Sequence, residues 1–150
     1  MKTLKISALL TAVLMFFCSC TKGNESKVVD VIQEAAIVSI NGTEQSTVEA
    51  FLGAFEGKQG DYIEFRFPEP QTFNTVFITE KTATIRQFNI YAEIDGKETL
   101  IHTGKHIFQD NIVLDEVTAT AFKFEVVNTQ IGNDHFIIQG ISAYNITEGA

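Results

Sequence analysis

The chain is 150 residues long and 45% hydrophobic, with 13 Phe, no Trp and a formal net charge of −8. That length sets one domain able to bury its own core, and the acidic balance excludes binding nucleic acid or anionic headgroups through bulk charge. The two cysteines, Cys18 and Cys20, sit together near the start, so neither can staple a fold and the domain must be held by its core.

Residues 1–5 carry Lys2 and Lys5, and residues 6–17 form an apolar run of about a dozen, short of the ~20 that a membrane-spanning helix needs. Ser19 and Cys20 follow. The segment resembles a bacterial lipoprotein signal peptide, in which a small residue precedes the cysteine that is lipidated and becomes the mature N-terminus. Ser19 before Cys20 fits; Phe17 before Cys18 does not. The resemblance implies a signal peptide over 1–19, lipidation at Cys20, and a membrane contact made only through that lipid. An outer-membrane lipoprotein, periplasmic or surface-exposed, follows as the expected location. Residues 20–27 are polar after the cysteine and read as a tether, leaving 28–150 as the domain. Lys2 and Lys5 fall in the signal and no acid does, so nine basic and nineteen acidic residues remain.

Residues 28–35 (VVDVIQEA) suit either a strand or a helical turn, and 36–40 suit a strand. Asn41-Gly42-Thr43 marks a turn. Ser46 and Glu49 match a capping box, predicting one short helical turn over 50–52. Residues 54–60 read as loop. Residues 61–67 alternate, with Ile63, Phe65 and Phe67 against Glu64 and Arg66, which predicts a half-buried strand. Pro68 and Pro70 are expected to end it, since proline cannot join a central ladder.

Residues 75–79 (TVFIT) are β-branched and aromatic and predict the next strand. Residues 80–85 form a polar loop leading to a second alternating strand over 88–94. Asp95-Gly96 predicts a hairpin to 98–102, and 103–105 another turn. Asp110-Asn111 breaks the run between 106–108 and 112–114. Residues 121–127 alternate again, 128–135 are a polar loop, and 136–145 form the last strand. About eight strands with short turns and no strong helix predict an all-β, antiparallel jelly-roll β-sandwich.

The runs DYIEFRFPEPQTFNTVFITE, IRQFNIYAEIDGKE, VTATAFKFEVVN and GNDHFIIQGISAY resemble the discoidin, or coagulation-factor type C, domains. Those belong to the galactose-binding-like jelly rolls, with family 32 carbohydrate-binding modules and the accessory C-terminal sandwich of bacterial α-L-fucosidases. The resemblance covers residues 61–144. It implies a non-catalytic module that binds a glycan or glycoconjugate through loops at one end, beside a glycoside hydrolase or an outer-membrane import complex. The other reading is a structural or protein-interaction sandwich with no sugar site.

The resemblance implies binding through loops at one end, where the candidates are Glu80, Lys81 and Arg86 before the third strand, and Asn133, Asp134, His135 and Phe136 in the last loop; Asn133 and Phe136 fall on family positions near that end. Phe136 serves either as a ring platform or as a core residue opening a strand. Asn133 serves either as a ligand or as a turn residue tolerant of left-handed geometry. Arg86 alternatively pairs with a surface acid, and His135 alternatively is an exposed loop side chain. No cofactor is expected. The family's structural calcium would find only Glu44 and nearby carbonyls here, because the first loop reads Asn41-Gly42-Thr43-Glu44 and the closing-strand acid is replaced by Gly140. The family's arginine after "TA" is replaced by Phe122 and Lys123. His102 and His106 flank a predicted turn, with Asp110 the one further candidate ligand for a transition metal. Catalysis finds no support: there is no GxSxG elbow, HExxH or phosphate loop, and no cysteine in the domain.

Overall fold

The computed structural model describes residues 28–45, 54–107 and 111–147. The signal peptide, Cys20, the tether, the capping box of Ser46 and Glu49, and Phe108 and Asp110 lie outside the described residues. The ambiguous 28–35 segment contains a 3-10 turn, Val31–Glu34. Asp30 caps it, its Oδ1 accepting from Ile32 N at 3.2 Å and from Ala143 N at 2.9 Å. The same residue bridges Tyr144 through its backbone.

Eight strands follow among the described residues: β1 (Ile37–Ile40), β2 (Thr43–Glu44), β3 (Phe55–Lys58), β4 (Tyr62–Glu80), β5 (Ile85–Ile94), β6 (Lys97–Gly104), β7 (Ile112–Thr129) and β8 (His135–Tyr144). Every pairing is antiparallel, in the order β2-β1-β4-β7-β5-β6, with β8 also on β4 and β3 on β8. The long strands β4 and β7 serve both layers of the sandwich. The first part of β4 pairs β1 over 63–66, and its last part pairs β8 over 75–80. The expected all-β antiparallel sandwich is therefore what forms.

Four local expectations change. Pro68 and Pro70 do not end a strand: they lie within β4, where the ladder to β7 stops at Arg66 and resumes at Gln71. A missing N–H is harmless where no partner waits for it, and the strand passes there from one layer to the other. Residues 55–58, read as loop, form β3 against the start of β8. Residues 112–114 and 121–127 belong to one strand, β7, which changes layer around Ala119–Ala121. Gly104 is the last residue of β6 and not a turn residue; it lies under Phe88. The predicted turns at 41–42 and 95–96 form, and both residues of each have positive φ, as the tight hairpin turn requires.

The core is one cluster. Phe122 contacts Phe65 and Phe73 at 6.2 and 5.9 Å between ring centroids, Phe88 meets Phe124 at 5.5 Å, and Phe55 meets Phe136 edge-on at 5.2 Å. Inward positions keep period two and then slip by one: 73 to 76 in β4, 119 to 122 in β7, 138 to 141 in β8. Each slip coincides with a register shift or a change of partner strand, as an inserted residue moves later side chains to the other face.

This folding-over gives the sandwich two unlike poles. Both ends of β4 come to one of them, with the 41–42 turn and loops 58–61, 80–85 and 129–135. Gln59 N donates to Asp134 O (3.2 Å), Gly60 N to Val126 O (2.7 Å) and Gln130 N to Thr84 O (2.8 Å). The opposite pole holds the Pro68–Pro70 bend, the Asp95-Gly96 hairpin and both described chain ends, where Asn74 holds Ile146 by paired bonds of 2.8 and 2.9 Å.

Candidate functional site

The loop pole is built on three side-chain clamps. Asp61 Oδ1 accepts from Asn41 Nδ2 (2.9 Å) and its Oδ2 from Lys58 N (2.8 Å), while Asn41 Oδ1 accepts from Tyr62 N (2.9 Å). The 41–42 turn and the 58–61 loop are thereby locked together. Glu80 is the second clamp. Its Oε1 accepts from Thr82 Oγ1 (2.8 Å), Thr84 N (2.6 Å), Thr84 Oγ1 (3.1 Å) and Ile85 N (3.1 Å), so one carboxylate oxygen closes the 80–85 loop. Ala83 sits in left-handed geometry inside that loop.

The third clamp joins the two loops that the sequence singled out. Thr84 Oγ1 donates to His135 O (2.9 Å), Lys81 N to Ile137 O (2.8 Å) and Ile137 N to Thr82 Oγ1 (3.2 Å). Arg86 crosses between them: Nη1 donates to Ala83 O (2.9 Å) and Ile85 O (3.1 Å), and Nη2 to Gln130 Oε1 (3.0 Å). Its expected pairing with a surface acid is replaced by carbonyls and an amide.

The candidate residues thus share one pole but not one surface. Phe136 must be corrected. It is fully buried against Phe55 and under Gly57, so its ring is core and offers no face to a ligand. Glu80 and Arg86 shape the loops. Asn133 Oδ1 accepts from His135 N (3.3 Å), a turn-forming bond. The exposed His135 side chain lies near Glu56 on β3, 3.9 Å away.

A depression of about 340 Å³ does open on this pole, lined by Gln59 and residues 128–134. Four of the lining residues carry carboxamides, Gln59, Asn128, Gln130 and Asn133, with Asp134 beside them. An amide carries NH₂ donors and an oxygen with two lone pairs, so even with one lone pair taken by Arg86 on Gln130 and by His135 N on Asn133 the group matches the dual character of hydroxyls. Ile131 projects from the loop fully exposed, and no aromatic ring lines the depression. Sequence reading passed over Gln59, Asn128 and Gln130 because single amides on loops carry no pattern.

Two further polar groups have structural explanations. On the outer face of β4, β7 and β5, Arg66 spans the small Ala121 to meet Glu93 at 3.2 Å and also pairs Glu64. Lys123 lies 4.2 Å from the Tyr91 ring centroid and pairs Glu98 at 2.7 Å. These charges are satisfied by one another. His102 packs on Phe88 at 5.9 Å, and burial pushes it below the ordinary histidine value. Among the described residues no three His, Cys, Asp or Glu side chains gather as metal ligands, so the His102–His106 idea gains no third group there.

No protein-family model matches the chain, and no curated sequence does either. Solved structures do. The structure of SpGH29 is similar at a TM-score of 0.66 and 16% identity, over 79% of this chain and 28% of that one. A putative α-L-fucosidase from Bacteroides thetaiotaomicron is similar at 0.52 and 23% identity, over 64% and 22%. The family 32 carbohydrate-binding module of Clostridium perfringens NanJ, in complex with galactose, is similar at 0.57 and 15% identity, over 72% and 92%. This chain therefore spans about a quarter of the length of the first two and nearly all of the third. At these identities the likeness establishes the fold alone: an antiparallel β-sandwich like that of a family 32 carbohydrate-binding module.

Proposed function

We propose that the chain is a non-catalytic carbohydrate-binding module held on the cell envelope by a lipid on Cys20. One observation carries the reading: an amide-lined depression on the loop pole of a fold that a galactose-binding module shares. Gln59, Asn128, Gln130, Asn133 and Asp134 would bond sugar hydroxyls, with Ile131 against an apolar sugar face. Arg86 is a positioning residue that holds Gln130, Glu80 sets the loop beneath, and His135 stands at the rim. The partner would be a glycan, presented to a glycoside hydrolase or an import complex.

A glycan array followed by titration monitored through backbone amides tests this. Binding should move the amides of residues 128–134. Gln130→Ala and Asn133→Ala should each weaken it by about tenfold, the loss of one hydrogen bond's ~1.4 kcal/mol. Silence across neutral, acidic and N-acetylated glycans would refute the sugar reading. The ringless depression and the exposed Ile131 favour protein docking as the second reading, which such silence would promote. Lipidation is tested separately: labelled fatty acid should enter the chain and be lost in Cys20→Ala.

A further inference from the structure

A second opening lies at the other pole. β5 and β7 pair as far as Glu93 opposite Ala121 and then part. β7 continues into the other layer, with Ala119, Thr118 and Val117 opposite Gln71, Thr72 and Phe73 of β4, while β5 goes on to the Asp95-Gly96 hairpin. Thr120 pins the vertex, its hydroxyl donating to Glu93 O (3.3 Å) and Oε1 (2.9 Å). Beyond it stands a wedge of about 480 Å³ with Ile94, Val117, Ala119 and Pro70 as its apolar lining.

Both walls of the wedge are strand edges. Among the described residues, β7 before Ala121 has β4 on one side and no strand on the other, and β5 beyond Glu93 has only β6. The β6 edge is interrupted by the irregularity at Ile90/Tyr91, and β7 upstream by the irregularity opposite Phe73/Thr75. Between that shift and the one opposite Arg66/Gln71, Val117–Ala119 keep a regular register with β4 on their other side. The rim is acidic, and among the described residues neither Asp95 nor Glu116 has an ion-pair partner, unlike Glu93.

We propose that this wedge docks an extended peptide segment of a partner protein, joined to the β7 edge as an added strand. Alternate small apolar side chains would enter the wedge, and a Lys or Arg would face Asp95 and Glu116. Backbone pairing supplies the affinity, and the rim supplies the choice of a cationic strand. This proposal is independent of the sugar reading, since the two use opposite poles.

The probe is the peptide Ac-Val-Lys-Val-Lys-Val-NH₂, titrated into the isotope-labelled chain. The amides of Gly96, Thr118, Ala119 and Thr120 should shift and saturate. The glutamate version of the peptide should bind at least tenfold more weakly. A version N-methylated at alternate residues keeps the charge but loses the ladder, and it too should lose at least tenfold. The Asp95→Asn, Glu116→Lys double variant should weaken binding of the cationic peptide at least tenfold while keeping its thermal midpoint, since both sites are exposed and Asn tolerates the left-handed geometry of position 95; the Glu116→Lys single variant should show an intermediate loss. Absent shifts, equal binding of the N-methylated peptide, or shifts confined to the β6 edge or to the loop pole would overturn the proposal.

Discussion

Gly104 shows how much one residue type can decide. A Cβ there would lie 2.1 Å from the Phe88 ring, which is itself fully buried against Phe124. Gly104→Ala should destabilise by about 1–3 kcal/mol, the cost of overpacking a filled core, measured as a lowered urea midpoint with an unchanged slope. Across the same strand pair, burial lowers the pKa of His102. The unfolded chain therefore takes up a proton first as pH falls. The stability linked to this group is complete above the unfolded value of about 6.5 and is lost as pH falls through it towards the folded one. His102→Gln should flatten the dependence of stability on pH between 7.5 and 5, and an unchanged slope would show that another group titrates there. At this scale the sequence was only partly legible. Inward Phe65 and Phe124 follow from alternation, but Phe136 looks the same whether it opens a buried strand or caps a loop. What decides is β3, whose Gly57 leaves room for its ring.

β3 was hidden for that reason. Its four residues, Phe-Glu-Gly-Lys, carry one apolar side chain and a glycine, which reads as loop, and only pairing with β8 makes them a strand. The prolines of β4 misled in the opposite sense, because a stretch passing between layers has no ladder bond to lose there. Asp30 is the least visible element-level device: nothing near it in sequence announces a partner 113 residues away. Asp30→Ala removes both the cap of the Val31–Glu34 turn and the acceptor for Ala143 N. It should cost about 1–2 kcal/mol and speed hydrogen exchange at the Ala143 amide. Faster exchange at Ile32 alone would mean that the cap matters and the clamp does not.

For the whole molecule, topology predicts kinetics. Most of the ladder joins residues far apart in sequence, from β1 with β4 to β4 with β8, so loop closure must precede most of the stabilising contact. Refolding should take milliseconds to seconds, and stopped-flow Phe and Tyr fluorescence would record it; a microsecond phase carrying the full amplitude would contradict this topology. The overall architecture was legible because alternation and turn chemistry are local. The division into poles was not, because it depends on β4 and β7 each folding over. That division matters for how the module can be handled. Asp30 bridges to Tyr144 of the last strand and Ile146 is held by Asn74, so both described chain ends leave from one side. A chip or bead coupled through either terminus would leave the 128–134 depression facing the bulk liquid. A copy spliced into another polypeptide would hang from it by two neighbouring stalks, with no need to open its sheets.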